Sequence, residues 1–162
     1  MADGLEGADG ADRWSGGRDA PSTGDASFAK TELVHRLCAW QEAEGRSGRV
    51  LTDVFVRLQD AFLAPDVAWW GAGREPKIQP GAIDTVPDVV VEVLSPGTRD
   101  NDLGAKRGRY LGSGVRELWL INPADRSAVL ATASGEKRLR AADELTSTLL
   151  AGFRIPLSDL LA

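Results

Sequence analysis

Two carboxylates and one lysine in this sequence have the types and spacing to act together. The run Pro87-Asp-Val-Val-Val-Glu-Val-Leu94 is the most strand-like stretch of the chain, and Glu92 sits in its middle. Valine on both sides implies a central strand covered on both faces. An ionised carboxylate there is unfavourable unless it is paired, hydrogen-bonded or bound to a metal. Two explanations compete: an ion pair with an arginine of the following helix, such as Arg107, or a chemical role. Asp66, in Ala64-Pro-Asp-Val-Ala-Trp-Trp70, tips the balance. Its strand is expected beside the central one, so Asp66 and Glu92 could meet at one hard cation. Asp88 shares the Glu92 face, but four residues of strand rise put roughly 13 Å between them. That is too far to share an ion, and Asp88 is expected instead to bond loop amides at the start of the strand.

The third member is Lys106. Fifteen of the nineteen basic residues are arginine and only four are lysine (Lys30, Lys77, Lys106 and Lys137), so a lysine at a useful position is less apt to be an accident. Lys106 lies on a helix expected from Asp100 to Leu111, which can fold back across the sheet and bring its ammonium beside Glu92. There it could orient or deprotonate an attacking water, or stabilise a pentavalent phosphate. A solvated helix position is the commoner fate of a single lysine. The joint occurrence of the three residues is what favours chemistry.

Other candidates carry less. His35, the only histidine, reads as a helix-face or core residue, and Cys38 as a small buried hydrophobe with no matching base. Trp69 and Trp70 could stack on a base, but neighbours on a strand face opposite ways, so at least one should be packing. Arg99, Arg107 and Arg109 could contact phosphates, with a solvated face about as good an account. Gly71-Ala-Gly73 is no phosphate loop, because no lysine-serine pair and no helix follows.

The elements that must position these groups follow from hydrophobic spacing. Residues 28–44 place Leu33, Val34, Leu37, Cys38 and Trp40 at helical intervals. Arg49–Leu58 and Phe62–Trp70 read as strands, and Gly71–Thr85 as a loop punctuated by glycine and proline. After the 87–94 strand and the 100–111 helix, which Gly104 and Gly108 weaken, Glu117–Ile121 forms another buried strand. A hairpin partner is expected near 127–133, and a short strand with a closing helical turn over 153–161. The class is α/β (α+β), a central mixed β-sheet flanked by helices.

Composition bounds the rest. The 162 residues carry one cysteine and a net charge of −5, so the chain can build one core and no internal disulfide. Residues 1–26 hold six acids and two bases, lack apolar periodicity and are expected to be a disordered acidic tail rich in Gly, Ala and Asp. A start codon placed too far upstream is the other account of them. The domain is then 27–162. It is near neutral, which argues against a wholly basic nucleic-acid coat but leaves room for a local groove. The chain shows no signal-like or membrane-length apolar run, so a soluble, cytoplasmic protein with no membrane partner is expected.

The segment Pro87–Tyr110, with Gly114-Val-Arg-Glu-Leu-Trp-Leu-Ile-Asn-Pro123 and the upstream Leu63-Ala-Pro-Asp-Val-Ala68, resembles the signature of the Uma-two (Uma2) family of bacterial nucleases. That family belongs to the PD-(D/E)XK, or restriction-endonuclease-like, superfamily, and the likeness spans about residues 33–161. It implies a restriction-endonuclease-like core that cleaves DNA with Mg²⁺, or Mn²⁺, as a homodimer. Asp66 matches the aspartate of the first motif and Glu92 the acid of the second. The usual lysine position is here Leu94, and Lys106 matches the lysine displaced to the helix. Metal ligands would be Asp66, Glu92 and the Val93 carbonyl. Tyr110 matches a recurrent aromatic and is expected to pack on the sheet. The Glu- and Gly-containing hairpin that precedes the first helix in the family is not recognisable; the acidic tail stands there. A catalytically silent module that binds nucleic acid or protein is the rival reading, favoured by low positive charge and the absent hairpin. Hydrolysis of another phosphate ester is a third.

Overall fold

A computed structural model describes residues 23–95 and 100–161. In chain order the elements are helix α1 (Thr23–Ala43), strands β1 (Gly48–Thr52), β2 (Val56–Arg57), β3 (Phe62–Leu63), β4 (Val67–Gly71) and β5 (Val89–Val93), and helix α2 (Asp100–Gly112). Strands β6 (Glu117–Asn122), β7 (Ser127–Thr132), β8 (Gly135–Arg140), β9 (Glu144–Thr146) and β10 (Arg154–Pro156) follow, and helix α3 (Leu157–Leu160) comes last. Six strands form one mixed sheet in the order β1-β4-β5-β6-β7-β8. Only β5 and β6 run parallel, joined through α2, and the other pairings are antiparallel. Parallel neighbours need such a crossover, whereas β6, β7 and β8 follow one another as hairpins.

The sheet separates two apolar cores. On one face Ala29, Leu33, Leu37 and Trp40 of α1 pack on Val89, Val91, Val93, Trp119 and Ile121, closed by the C-terminal Ile155, Leu157 and Leu160. On the other, Tyr110 of α2 packs with Ala68, Trp70, Val90 and Leu118. Every residue of β5 is buried, as valine on both faces requires. Trp69 and Trp70 fall in opposite cores, so both are packing residues.

Several expectations change. The strand expected over 49–58 breaks at Asp53, whose φ of +53° lies in the left-handed region that aspartate tolerates better than most residues. The 62–70 strand breaks before Val67, at Pro65, which has no backbone donor for a ladder. Strand β8 went unforeseen because it is a charged edge strand with Leu139 alone buried, and so shows no alternation of apolar residues. Cys38 is exposed, as is His35, because the buried stripe of α1 runs through Ala29, Leu33, Leu37 and Trp40. Of the expected tail 1–26, residues 1–22 lie outside the described residues and 23–26 open α1. Among the described residues no helix is long and apolar enough to cross a membrane.

Candidate active site

The β4–β5 register sets Val67 opposite Val91. One step further, the same antiparallel pairing brings Asp66 opposite Glu92, at the end of the sheet where β5 gives way to α2. Both acids share the α2 face, at steps of two from the core residues Ala68 and Val90. Asp66 Oδ2 accepts the backbone N–H of Val93 at 2.7 Å, which ties the carboxylate across the gap between strands. The next amide, of Leu94, donates to Ile121 of β6 at 2.8 Å. Backbone groups alternate in direction along a strand, so the Val93 carbonyl is turned toward the Asp66 side.

Glu92 is 8% exposed. Its Oε1 accepts the Tyr110 hydroxyl at 2.7 Å, and Lys106 Nζ stands 3.9 Å from the same oxygen. Lys106 and Tyr110 are four residues apart and so leave α2 on one side. Arg107 goes elsewhere, to an ion pair with Glu136 of β8. Tyr110 packs as expected and is also a donor to the site. Burial, and then the negative charge of Glu92, its hydrogen bond and the charge of Asp66, push the phenol far above its ordinary pKa of 10.0. Tyr110 therefore remains protonated and donating across the whole working range of pH.

Asp66 has a neighbour that sequence reasoning missed. Lys30, from α1, places Nζ 3.7 Å from Asp66 Oδ1 and bonds to Asp53 at the left-handed corner after β1. The scarcity of lysine pointed to it, since Lys30 is one of only four. The corner that delivers Asp53 had no sequence signal. Asp88 does what its position suggested: Oδ2 accepts the Gly71 amide at 2.9 Å and Arg74 Nε at 3.1 Å. A further buried acid, Glu117, lies on the opposite face. It accepts hydrogen bonds from Trp119, Ser147 and Thr148, clamping the 147–148 loop to the sheet. Arg109 is exposed on the last turn of α2, and Arg99 lies outside the described residues.

The donor set is all oxygen. No group of three or more His, Cys, Asp or Glu side chains gathers to hold a metal among the described residues. Two carboxylates and a carbonyl nonetheless fit Mg²⁺, which takes one or two carboxylates and keeps several waters. The hard oxygen set suits Mg²⁺ or Mn²⁺ better than a softer ion.

A family model, Uma2, described as "Putative restriction endonuclease", matches residues 18–158. No curated protein matches the chain. A solved structure described as a "putative nuclease belonging to DUF820" from Anabaena variabilis superposes with a TM-score of 0.74 over 88% of this chain and 83% of that one. At 19% identity the likeness concerns the fold, which is that of the restriction-endonuclease-like nucleases.

Proposed function

The chain belongs to the Uma2 family, whose description is "Putative restriction endonuclease", and from that premise we propose that it is a metal-dependent endonuclease hydrolysing phosphodiester bonds in DNA. The observation that carries the reading is Glu92. It is a carboxylate buried in an all-valine strand, with Asp66 opposite and the Lys106 ammonium 3.9 Å away. Asp66 and Glu92, with the Val93 carbonyl, would hold Mg²⁺ or Mn²⁺. When bound, such an ion supplies Lewis-acid polarisation of a phosphate oxygen. Tyr110 holds Glu92 in one orientation through its hydroxyl. Lys106 sits where its ammonium can orient the attacking water and offset charge building on the phosphate. Arg109, exposed, and Arg99 supply phosphate contacts. Arg107 joins them only by leaving Glu136, whose acidity the pairing increases, chiefly through the Arg107 hydrogen bond. A cytoplasmic homodimer would bring two such sites to the two strands of a duplex.

The test is cleavage of supercoiled, linear and single-stranded DNA with Mg²⁺ or Mn²⁺, beside Glu92→Gln. Glutamine preserves an acceptor for the Tyr110 hydroxyl, which alanine would leave orphaned. The expected result is metal-dependent cleavage lost by at least about a hundredfold in Glu92→Gln, with the melting temperature kept. Undiminished cleavage by a folded Glu92→Gln protein removes the assignment. The net charge of −5 favours one other reading, a module that binds without turnover. That reading predicts DNA or protein binding with no cleavage under any of these conditions.

A further inference from the structure

Asp66 divides its two oxygens between different tasks. Oδ2 is engaged by the Val93 amide, while Oδ1 faces the Lys30 ammonium at 3.7 Å. Oδ1 is therefore the oxygen through which Asp66 would bind a cation, and a resident cation already stands beside it. Lys30 has a second partner, Asp53, bonded to the same Nζ. Asp53 is held at a backbone φ of +53° just past β1 and its side chain is 66% exposed. A lysine stem is long and flexible, and exposed ion pairs are weak enough to be exchanged easily.

We propose that Lys30 is a built-in counter-cation of the site. It offsets the charge of Asp66 while no divalent ion is bound, and when one binds it withdraws from Asp66 and keeps the Asp53 partner it already has. The consequence is regulatory: Lys30 sets how much divalent metal the site needs, and Asp53 is the acceptor that makes the withdrawal cheap. Without Lys30, Asp66 would lose the ammonium beside its Oδ1 in the metal-free protein, while Glu92 keeps Lys106. With Lys30, every metal ion that binds must displace a positive charge. This rests on Asp66 and Glu92 being the metal ligands.

The test is calorimetric titration of the full chain with Mn²⁺ alone, for wild type, Lys30→Met, Asp53→Asn and Glu92→Gln, with melting temperatures read in the presence and absence of Mn²⁺. Removing the competing charge is expected to tighten Mn²⁺ binding roughly three- to tenfold in Lys30→Met. Asp53→Asn is expected to weaken it, because Lys30 is then left on Asp66. The melting temperature of Lys30→Met should fall more without Mn²⁺ than with saturating Mn²⁺; a purely structural ion pair would lower both alike. Lys30→Gln repeats the measurement with a polar side chain should the methionine variant fold poorly. Wild-type binding that Glu92→Gln abolishes, together with unchanged or weaker binding in both Lys30 variants, overturns the role of Lys30 and leaves the metal site standing. Absence of any Glu92-dependent Mn²⁺ binding in wild type overturns the metal site and the role of Lys30 with it.

Discussion

At Glu92, donors of different character among the described residues offset the penalty for burying a carboxylate. Lys106 supplies charge at 3.9 Å, and Tyr110, a neutral donor, supplies a short hydrogen bond of 2.7 Å to the carboxylate. The second is the stiffer restraint, because the phenol is buried and cannot follow solvent. Tyr110→Phe is expected to reduce stability by about 1.5–3 kcal/mol, the usual worth of a hydrogen bond to a charged group, as read by denaturant unfolding. An unchanged midpoint would mean that Glu92 finds another donor at no loss. Tyr110 also gives a pH signature. Its pKa is raised on folding, so above the ordinary phenol value of 10.0 the unfolded chain gives up a proton that the folded chain keeps. Stability from this group is therefore fully present below that pH and falls as pH rises beyond it. Tyr110 is the only tyrosine, so the difference in alkaline slope between wild type and Tyr110→Phe isolates it. Equal slopes would contradict the folded-state shift.

The element that matters most to the site is α2, which presents Lys106 and Tyr110 to Glu92 from consecutive turns. It contains Gly104 and Gly108, neither at positive φ, and a Cβ added at either meets no heavy atom within 4 Å. Nothing in the packing requires glycine there, so each lowers the stability of the helix through backbone entropy alone. Gly104→Ala and Gly108→Ala are each expected to raise stability by about 0.5–1 kcal/mol, measured by thermal or denaturant unfolding. A loss of stability in either would show that the glycine serves a close approach absent from this structure. Helix α1 acts differently. Its buried stripe anchors it on the far face of the sheet, and Lys30, partly buried beside that stripe, reaches Asp66 at the sheet's end.

Over the whole molecule, a net charge of −5 means that, under the proposed function, attraction to DNA must come from a local surface. Each phosphate contact still releases counterions, so cleavage by this site should decline as salt rises, and more gently than for a strongly basic binder. A salt-independent rate under subsaturating DNA would argue against phosphate contacts in substrate capture. The proposed homodimer is checked by sedimentation: the expected species is twice the 17.3 kDa chain. A monomer at concentrations where both strands of a duplex are cut together would rule it out.

Much of this was legible in the chain. Periodicity located α2, β5, β6 and β7 closely, because their apolar residues are buried by the sheet itself and burial imposes spacing. Burial physics alone marked Glu92, since a valine strand does not carry a carboxylate without a partner. Strand alternation and rise separated Asp66 from Asp88. The tertiary structure decided the partners. Arg107 turns to Glu136, Lys106 and Tyr110 serve Glu92, and Lys30 reaches both Asp66 and Asp53. Those pairings join residues far apart in sequence and depend on where a left-handed corner turns the chain and how a helix crosses the sheet. Local pattern records which face a residue occupies. The charge that waits for it across the fold is set by the packing of whole elements.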